Sequence, residues 1–165
     1  MPTNVQEDSK YLIQRGGYKL IETKESHLDI IASSMRQADQ LEVFCMGKTP
    51  LGALQEAYEK DDTTLSILDK DDVPIAIFGV GQILDMAYIW LLGTDNVRKA
   101  SYVFLKESRY ITQALVKPYG SAFNFVHTEN KIAIKWLKFC GATFIRKLYF
   151  MNNPFYEFII TYKIK

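Results

Sequence analysis

The sequence predicts an α/β fold with a mixed central sheet of about seven strands flanked by about four helices, and three observations carry that expectation. The run Ala87-Tyr88-Ile89-Trp90-Leu91-Leu92 is unbroken and apolar, as a strand covered on both faces requires. After Gly93-Thr94-Asp95-Asn96, which supply turn and cap chemistry, residues 97–116 carry Val103, Leu105, Ile111, Leu115 and Val116 near helical spacing, and Pro118 and Gly120 end the stretch. Residues 121–126 then return as a strand, and 131–140 read as a helix closed by Gly141. A strand–helix–strand unit of this length implies parallel pairing through a right-handed crossover. Ligands of such sheets bind at the carboxyl ends of the strands, near helix N-termini.

The remaining elements follow in chain order. Residues 1–12 are polar and read as a flexible arm. Residues 18–23 form a first strand after Gly16-Gly17. A helix over 27–44, capped by Ser26, presents Leu28, Ile31, Met35 and Leu41 on one face and stops at Gly47. Thr49-Pro50 opens a second helix, 51–60, with proline where its missing N–H costs nothing. Residues 64–68 and 73–80 flank Asp69-Lys70-Asp71-Asp72 as a hairpin. That acidic turn lacks the spacing and glycine of a calcium loop, and no metal site is expected. Gly79 and Gly81 are not a dinucleotide fingerprint, since no helix follows them. Residues 143–150 and 155–164 are the last strands, joined by a turn at Asn152-Asn153-Pro154. The order β-α-α-β-β-β-α-β-α-β-β shows no repeat and no linker, so residues 1–165 are expected to form one domain. Trp90, Leu91, Phe104, Phe125, Ile134 and Leu137 are the expected core.

Composition narrows the function classes. Twenty Lys and Arg against nineteen Asp and Glu give a net charge of +1, with no basic field for a polyanion; no nucleic-acid partner is expected. Cys45 and Cys140 stand far apart without metal-ligand companions and read as buried reduced thiols, which fits a reducing compartment. The polar N-terminus does not read as a signal peptide. The apolar runs fall short of the roughly 20 residues a membrane span needs. A soluble intracellular protein is the expectation, with release by lysis or packaging in a particle left open.

The element order resembles the GCN5-related N-acetyltransferase (GNAT) fold from about Tyr18 onward. In 130–142, Asn130, Ala133 and Gly141 stand where that superfamily tends to carry Asn, Ala and Gly on and after its fourth helix. A narrower resemblance runs through Trp90-Leu91-Leu92-Gly93-Thr94-Asp95, Phe104-Leu105 with Ser108-Arg109, Phe123-Asn124-Phe125-Val126, Ile134-Lys135-Trp136-Leu137-Lys138 and Gly141-Ala142-Thr143-Phe144. These segments are similar to the GNAT-like internal virion or virion-assembly proteins of short-tailed phages. That resemblance implies a virion-associated protein acting through contacts with other phage virion or assembly proteins, in the virion or the host cytoplasm. The broader resemblance implies an acetyl-CoA-dependent N-acetyltransferase acting on an amine.

The residues bear unevenly on that chemistry. GNAT enzymes hold a pyrophosphate in a Gln/Arg-x-x-Gly-x-Gly/Ala loop between the central strand and the next helix. In the nearest register Arg98 takes the first position, while Ser101 and Val103 fill the two small positions and narrow the cradle. Arg98 and Lys99 read either as a solvated helix end or as cations beside a weakly held anion. The resemblance places Arg98, Lys99, Ser101 and Asn130 at a cofactor site. The family's tyrosine acid aligns with Leu137, which cannot transfer a proton, and nothing in the sequence places Tyr119 there instead. The central strand holds no carboxylate base. Asp85 and Asp95 flank it as turn or cap residues, and His127 ends the next strand with a suitable ordinary pKa. His27 shows no partner. With cradle, acid and base all weakened, the expectation is a catalytically degenerate domain with no cofactor, or acetyl-CoA if it is enzymatic.

Overall fold

The structure, a computed structural model, describes residues 12–163 apart from the side chains of Ser101 and Leu105. Among the described residues eight strands form one sheet: β1 (Ile13–Arg15), β2 (Tyr18–Glu22), β3 (Thr63–Leu68), β4 (Pro74–Ile83), β5 (Met86–Gly93), β6 (Ser121–His127), β7 (Thr143–Phe150) and β8 (Asn153–Thr161). Their order is β1-β2-β3-β4-β5-β6-β8-β7. Every neighbouring pair is antiparallel except β5–β6, which is parallel, as the strand–helix–strand unit requires. The helices are α1 (Glu25–Ser33), α2 (Gln37–Cys45), α3 (Pro50–Lys60), α4 (Val97–Val116) and α5 (Lys131–Phe139), with a 3₁₀ turn at Lys117–Tyr119.

Strand alternation sorts the helices into two layers. Ala76, Phe78 and Leu91 meet Val97, Ala100 and Phe104 of α4, and Val126 and Ile160 on the same side meet Leu137 of α5. Ile77, Trp90 and Leu92 face the other way, onto Leu28 and Ile31 of α1, Val43 of α2 and Leu54 of α3.

The structure departs from the sequence expectations at several points. The helix expected over 27–44 is broken. Met35 bridges to Thr94, and the Arg36 N–H donates to the Gly93 carbonyl at 2.8 Å, so the chain leaves the helix to bond the end of β5. Lys24, not Ser26, stands at the N-cap of α1, where its N–H donates to His27 Nδ1 at 3.2 Å. His27 therefore has partners, Ser66 Oγ at 2.9 Å being the second. Of the expected arm, only Leu12 lies among the described residues, and its N–H donates to the Leu20 carbonyl at 2.8 Å, which ties it to β2. The last strand begins at Asn153 and ends at Thr161; Ile164 lies outside the described residues.

Of the expected core, Phe104 and Leu137 are buried, whereas Trp90, Leu91, Phe125 and Ile134 are half-buried. Trp90, Leu91 and Phe125 wall a gap in the sheet described below, which accounts for their exposure. Cys45 and Cys140 are both free and buried. Among the described residues no helix is long and apolar enough to cross a membrane. Phe155, at 0 % exposure, is the largest fully buried side chain, stacked edge-on against His127 and Phe150. Phe155→Ala is expected to lower the unfolding free energy by about 3–5 kcal/mol, against less than about 0.5 kcal/mol for exposed Tyr102→Ala, as read from urea denaturation.

Candidate functional site

Strands β5 and β6 run side by side only briefly. They pair at Ala87–Ala122 and Tyr88–Phe123 and then part toward their carboxyl ends. Parting leaves backbone groups of both strands without a strand partner, and buried groups of that kind need other partners. Asn124 meets the first of them. Its Nδ2 donates to the Ile89 carbonyl at 2.8 Å, and its Oδ1 accepts the Phe125 N–H at 2.8 Å. Alternation along β5 turns the N–H and C=O of Leu91 to the same side as those of Ile89 and Gly93, toward the gap.

The far ends of the gap are met by α2 and the residue before it. The Gly93 N–H donates to Asp39 Oδ2 at 2.9 Å, and the Gly93 carbonyl accepts the Arg36 N–H at 2.8 Å. Across the gap, Glu42 Oε1 accepts the His127 N–H at 2.9 Å and Asn130 Nδ2 at 2.9 Å. Arg36 grips Asp39 through two bonds, Nε to Oδ2 at 3.1 Å and a terminal nitrogen to Oδ1 at 2.7 Å, with both side chains buried. The first cause of Glu42's unusual acidity is burial, which raises its carboxyl to about 7 from an ordinary 4.5; the Asn130 and His127 donors oppose that rise.

A cavity of about 750 Å³ opens at the gap and reaches Asp61, Tyr88, Trp90, Phe123, Phe125 and Glu42. Asp61 ends α3 beside the central strand. It accepts the Tyr88 hydroxyl, and Trp90 Nε1 at 2.6 Å. Burial raises the Asp61 carboxyl against the pull of those two donors, and burial followed by the Asp61 bond raises the Tyr88 hydroxyl. Two glycines of β4 make room for this group. A Cβ on Gly81 would stand 2.4 Å from Asp61 Oδ1, and one on Gly79 would stand 2.3 Å from the Thr63 carbonyl and 3.2 Å from the Trp90 ring.

The structure brings together only some of the residues singled out in the sequence. Asp95, Arg98 and Asn130 come together around a smaller hollow of about 500 Å³ between the N-termini of α4 and α5, where Arg36, Glu129 and Lys131 mix the charge. Asn130 spends its side chain within the chain, capping α5 through Oδ1 (Ala133 N–H, 3.4 Å) and holding Glu42 through Nδ2. Lys99 is exposed on the first turn of α4, and the Ser101 side chain lies outside the described residues. Asp85 is an exposed turn residue with φ 64° at the opposite end of β5, far along the strand from Gly93. His127 is buried. Its Nδ1 accepts the Glu129 N–H at 3.1 Å, which leaves Nε2 to donate to Asn153 Oδ1 at 3.3 Å. Leu137 is buried in the core, and the Tyr119 hydroxyl donates to Asp62 at 2.6 Å with its pKa raised to about 12, first by burial and then by that bond.

The cradle expected from the resemblance takes a different form. Residues 98–103 are the opening turns of α4, as the helical spacing of 97–116 predicts. The N–H groups of Val97, Arg98 and Lys99 donate to the carbonyls of Thr94, Asp95 and Asn96 at 3.1, 3.4 and 3.1 Å. Val103 does not narrow an anion site; it packs into the core, where a Cβ on Gly16 would stand 2.8 Å from its Cγ1. The N–H groups of 97–99 are thus engaged within the chain, and α2 stands across the gap, so the arrangement is a closed one. Among the described residues no group of acidic, His and Cys side chains could hold a metal ion.

The overall fold is shared with solved structures. An acetyltransferase of the GNAT family from Bacillus anthracis superposes with a TM-score of 0.65 at 8% identity, over 90% of this chain and 97% of its own. The chain has the GNAT fold. Spermidine N-acetyltransferase from Vibrio cholerae, in complex with CoA and spermine, gives 0.63 at 13% identity, over 88% of this chain and 96% of its own. Ribosomal-protein-S5-alanine acetyltransferase from Vibrio fischeri gives 0.63 at 12%, over 91% and 96%. No protein-family model matches the sequence, and no curated protein matches it.

The sequence did not single out Arg36, Asp39, Glu42 or Asp61. The first three repeat every three residues, a spacing that sets charged groups on one helix face. Alternate glycines at 79 and 81 were the trace of Asp61, since glycine inside a strand marks a close approach. Glu42 makes a pH prediction. Between about pH 4.5 and 7 the folded chain holds a proton on Glu42 that the unfolded chain releases, so this group's contribution to stability falls as pH rises through that window and is level above it. Relative to wild type, Glu42→Gln is therefore expected to gain up to about 3 kcal/mol between pH 5 and pH 8 in urea denaturation.

Proposed function

We propose that this chain is an N-acyltransferase that uses an acyl-CoA and acts on an amine, here in a closed form. The observation that carries the reading is Asp61: a half-buried carboxylate fixed beside the central strand by Tyr88 and Trp90, facing the cavity at which β5 and β6 part. A base beside the central strand is what amine acylation needs, and the candidates the sequence offered, Asp85, Asp95 and His127, do not line this cavity. The ammonium form of an amine is attracted by a carboxylate, and a carboxyl whose pKa is raised is better suited to take its proton. The likeness to acetyltransferases, one of them in complex with CoA and spermine, supports the same reading. So does the gap itself. Keeping β5 and β6 apart demands buried Arg36 and Asp39 where ordinary pairing would demand no charge at all.

A second reading has its own support. In a virion-associated or virion-assembly protein of a phage, acting through protein contacts, the gap would be a remnant. The winding of residues 98–103 into α4 and the burial of Leu137 at the tyrosine position favour it. One experiment separates the two: release of free thiol from acetyl-CoA against a panel of primary amines, with a thermal shift measured alongside. Turnover that falls about 100-fold or more in Asp61→Asn, with the melting temperature changed by only a few degrees, is the expected result. No turnover and no thermal shift at millimolar acetyl-CoA, in wild type and in a Glu42→Ala variant alike, would retire the enzyme and leave the second reading, because a ligand of the native state stabilises it.

A further inference from the structure

We propose that α2 is a self-occluding latch, held across the gap between β5 and β6 by Arg36, Asp39 and Glu42, and that it lifts to admit an extended, amide-bearing chain to the same backbone groups. The nature of that ligand rests on the acyltransferase reading; the latch itself rests on the contacts alone.

Three features point to it. The first is mimicry. Asp39 and Glu42 present oxygen acceptors to the N–H groups of Gly93 and His127, and the Arg36 N–H presents a donor to the Gly93 carbonyl. A chain of amides offers the same alternation of carbonyl and N–H, so α2 satisfies groups that such a ligand would satisfy. The second is weak apolar anchoring. Of the helix's apolar residues Val43 and Cys45 are buried, whereas Leu41 and Phe44 are exposed, Phe44 at 63 %. What fastens α2 over the gap is chiefly polar, and polar contacts can be exchanged for those of a ligand at little net cost. The third is that both ends can turn. The chain is non-helical at 34–36, where α1 ends, and at 46–49, where Gly47 takes φ +76° before α3 begins. Lifting α2 breaks no covalent bond and leaves α1 and α3 packed on Ile77.

Cys45 reports the state of the latch, because it lies on α2 and is buried while the helix is down. The full-length chain is alkylated with N-ethylmaleimide, the labelled cysteine is located by peptide mass, and CoA binding is measured by calorimetry. In Glu42→Ala, with folding verified by circular dichroism, Cys45 is expected to label at least tenfold faster than in wild type, with Cys140 unchanged. CoA should then bind that variant at least tenfold more tightly. Equal Cys45 rates in the two proteins overturn the latch. So does tight CoA binding by wild type with Cys45 still protected, an outcome that upholds the acyltransferase reading. Release of Cys45 without CoA binding to either protein upholds the latch and sinks that reading. If Glu42→Ala does not fold, wild type in rising urea decides. Cys45 labelling well below the global transition supports the latch, and labelling only with global unfolding overturns it.

Discussion

The parting of β5 from β6 is the constraint around which the rest of the molecule is arranged. Two strands that begin as a parallel pair and then diverge expose N–H and C=O groups inside the protein, where water is scarce and an unpaired group costs roughly 1–3 kcal/mol. Every element near the gap bears the mark of that cost. Asn124 turns its amide back to the Ile89 carbonyl. The chain breaks a helix at Met35 so that Arg36 can reach Gly93. Asp39 and Glu42 bring carboxylates to the ends of the two strands, and Asn130 leaves half of its capping amide to hold Glu42.

Charge is an expensive way to satisfy a backbone. Asp39 is buried to 1 % exposure, and only the two-pronged grip of Arg36 makes that tolerable. Glu42 has no such counterion in bonding contact and answers by holding its proton to about pH 7. A fold that merely needed closure could zip β5 to β6 and dispense with all three. Under the proposed latch, a gap that opens is better served by groups that water or a ligand can replace.

Much of this architecture was legible in the residues. The apolar run of β5, the bounds of α4 and the parallel return at β6 follow from periodicity and from Pro118 and Gly120, which are local signals. The GNAT fold followed from their order. The gap was not legible, because it is set by two strands joined through a 20-residue helix, and no local pattern marks where a pair stops pairing. The break between α1 and α2 was hidden for the same reason: residues 27–44 have helical spacing throughout, and only the tertiary demand of Gly93 overrides it. Ser101 and Val103 were read as crowding a phosphate cradle at the start of the helix; the stretch is helix, as its spacing predicted, but Val103 serves the core beside Gly16. Asp61 was passed over because its role depends on Tyr88 and Trp90, nearly thirty residues away.

The amide hydrogens of Gly93 and His127 test the central claim most directly. If Asp39 and Glu42 hold them, hydrogen exchange followed by NMR will show both amides protected at least 100-fold over an unstructured chain, and both will exchange at the rate at which α2 itself opens. Free exchange at either amide, or protection that persists when the amides of α2 have already exchanged, would contradict it.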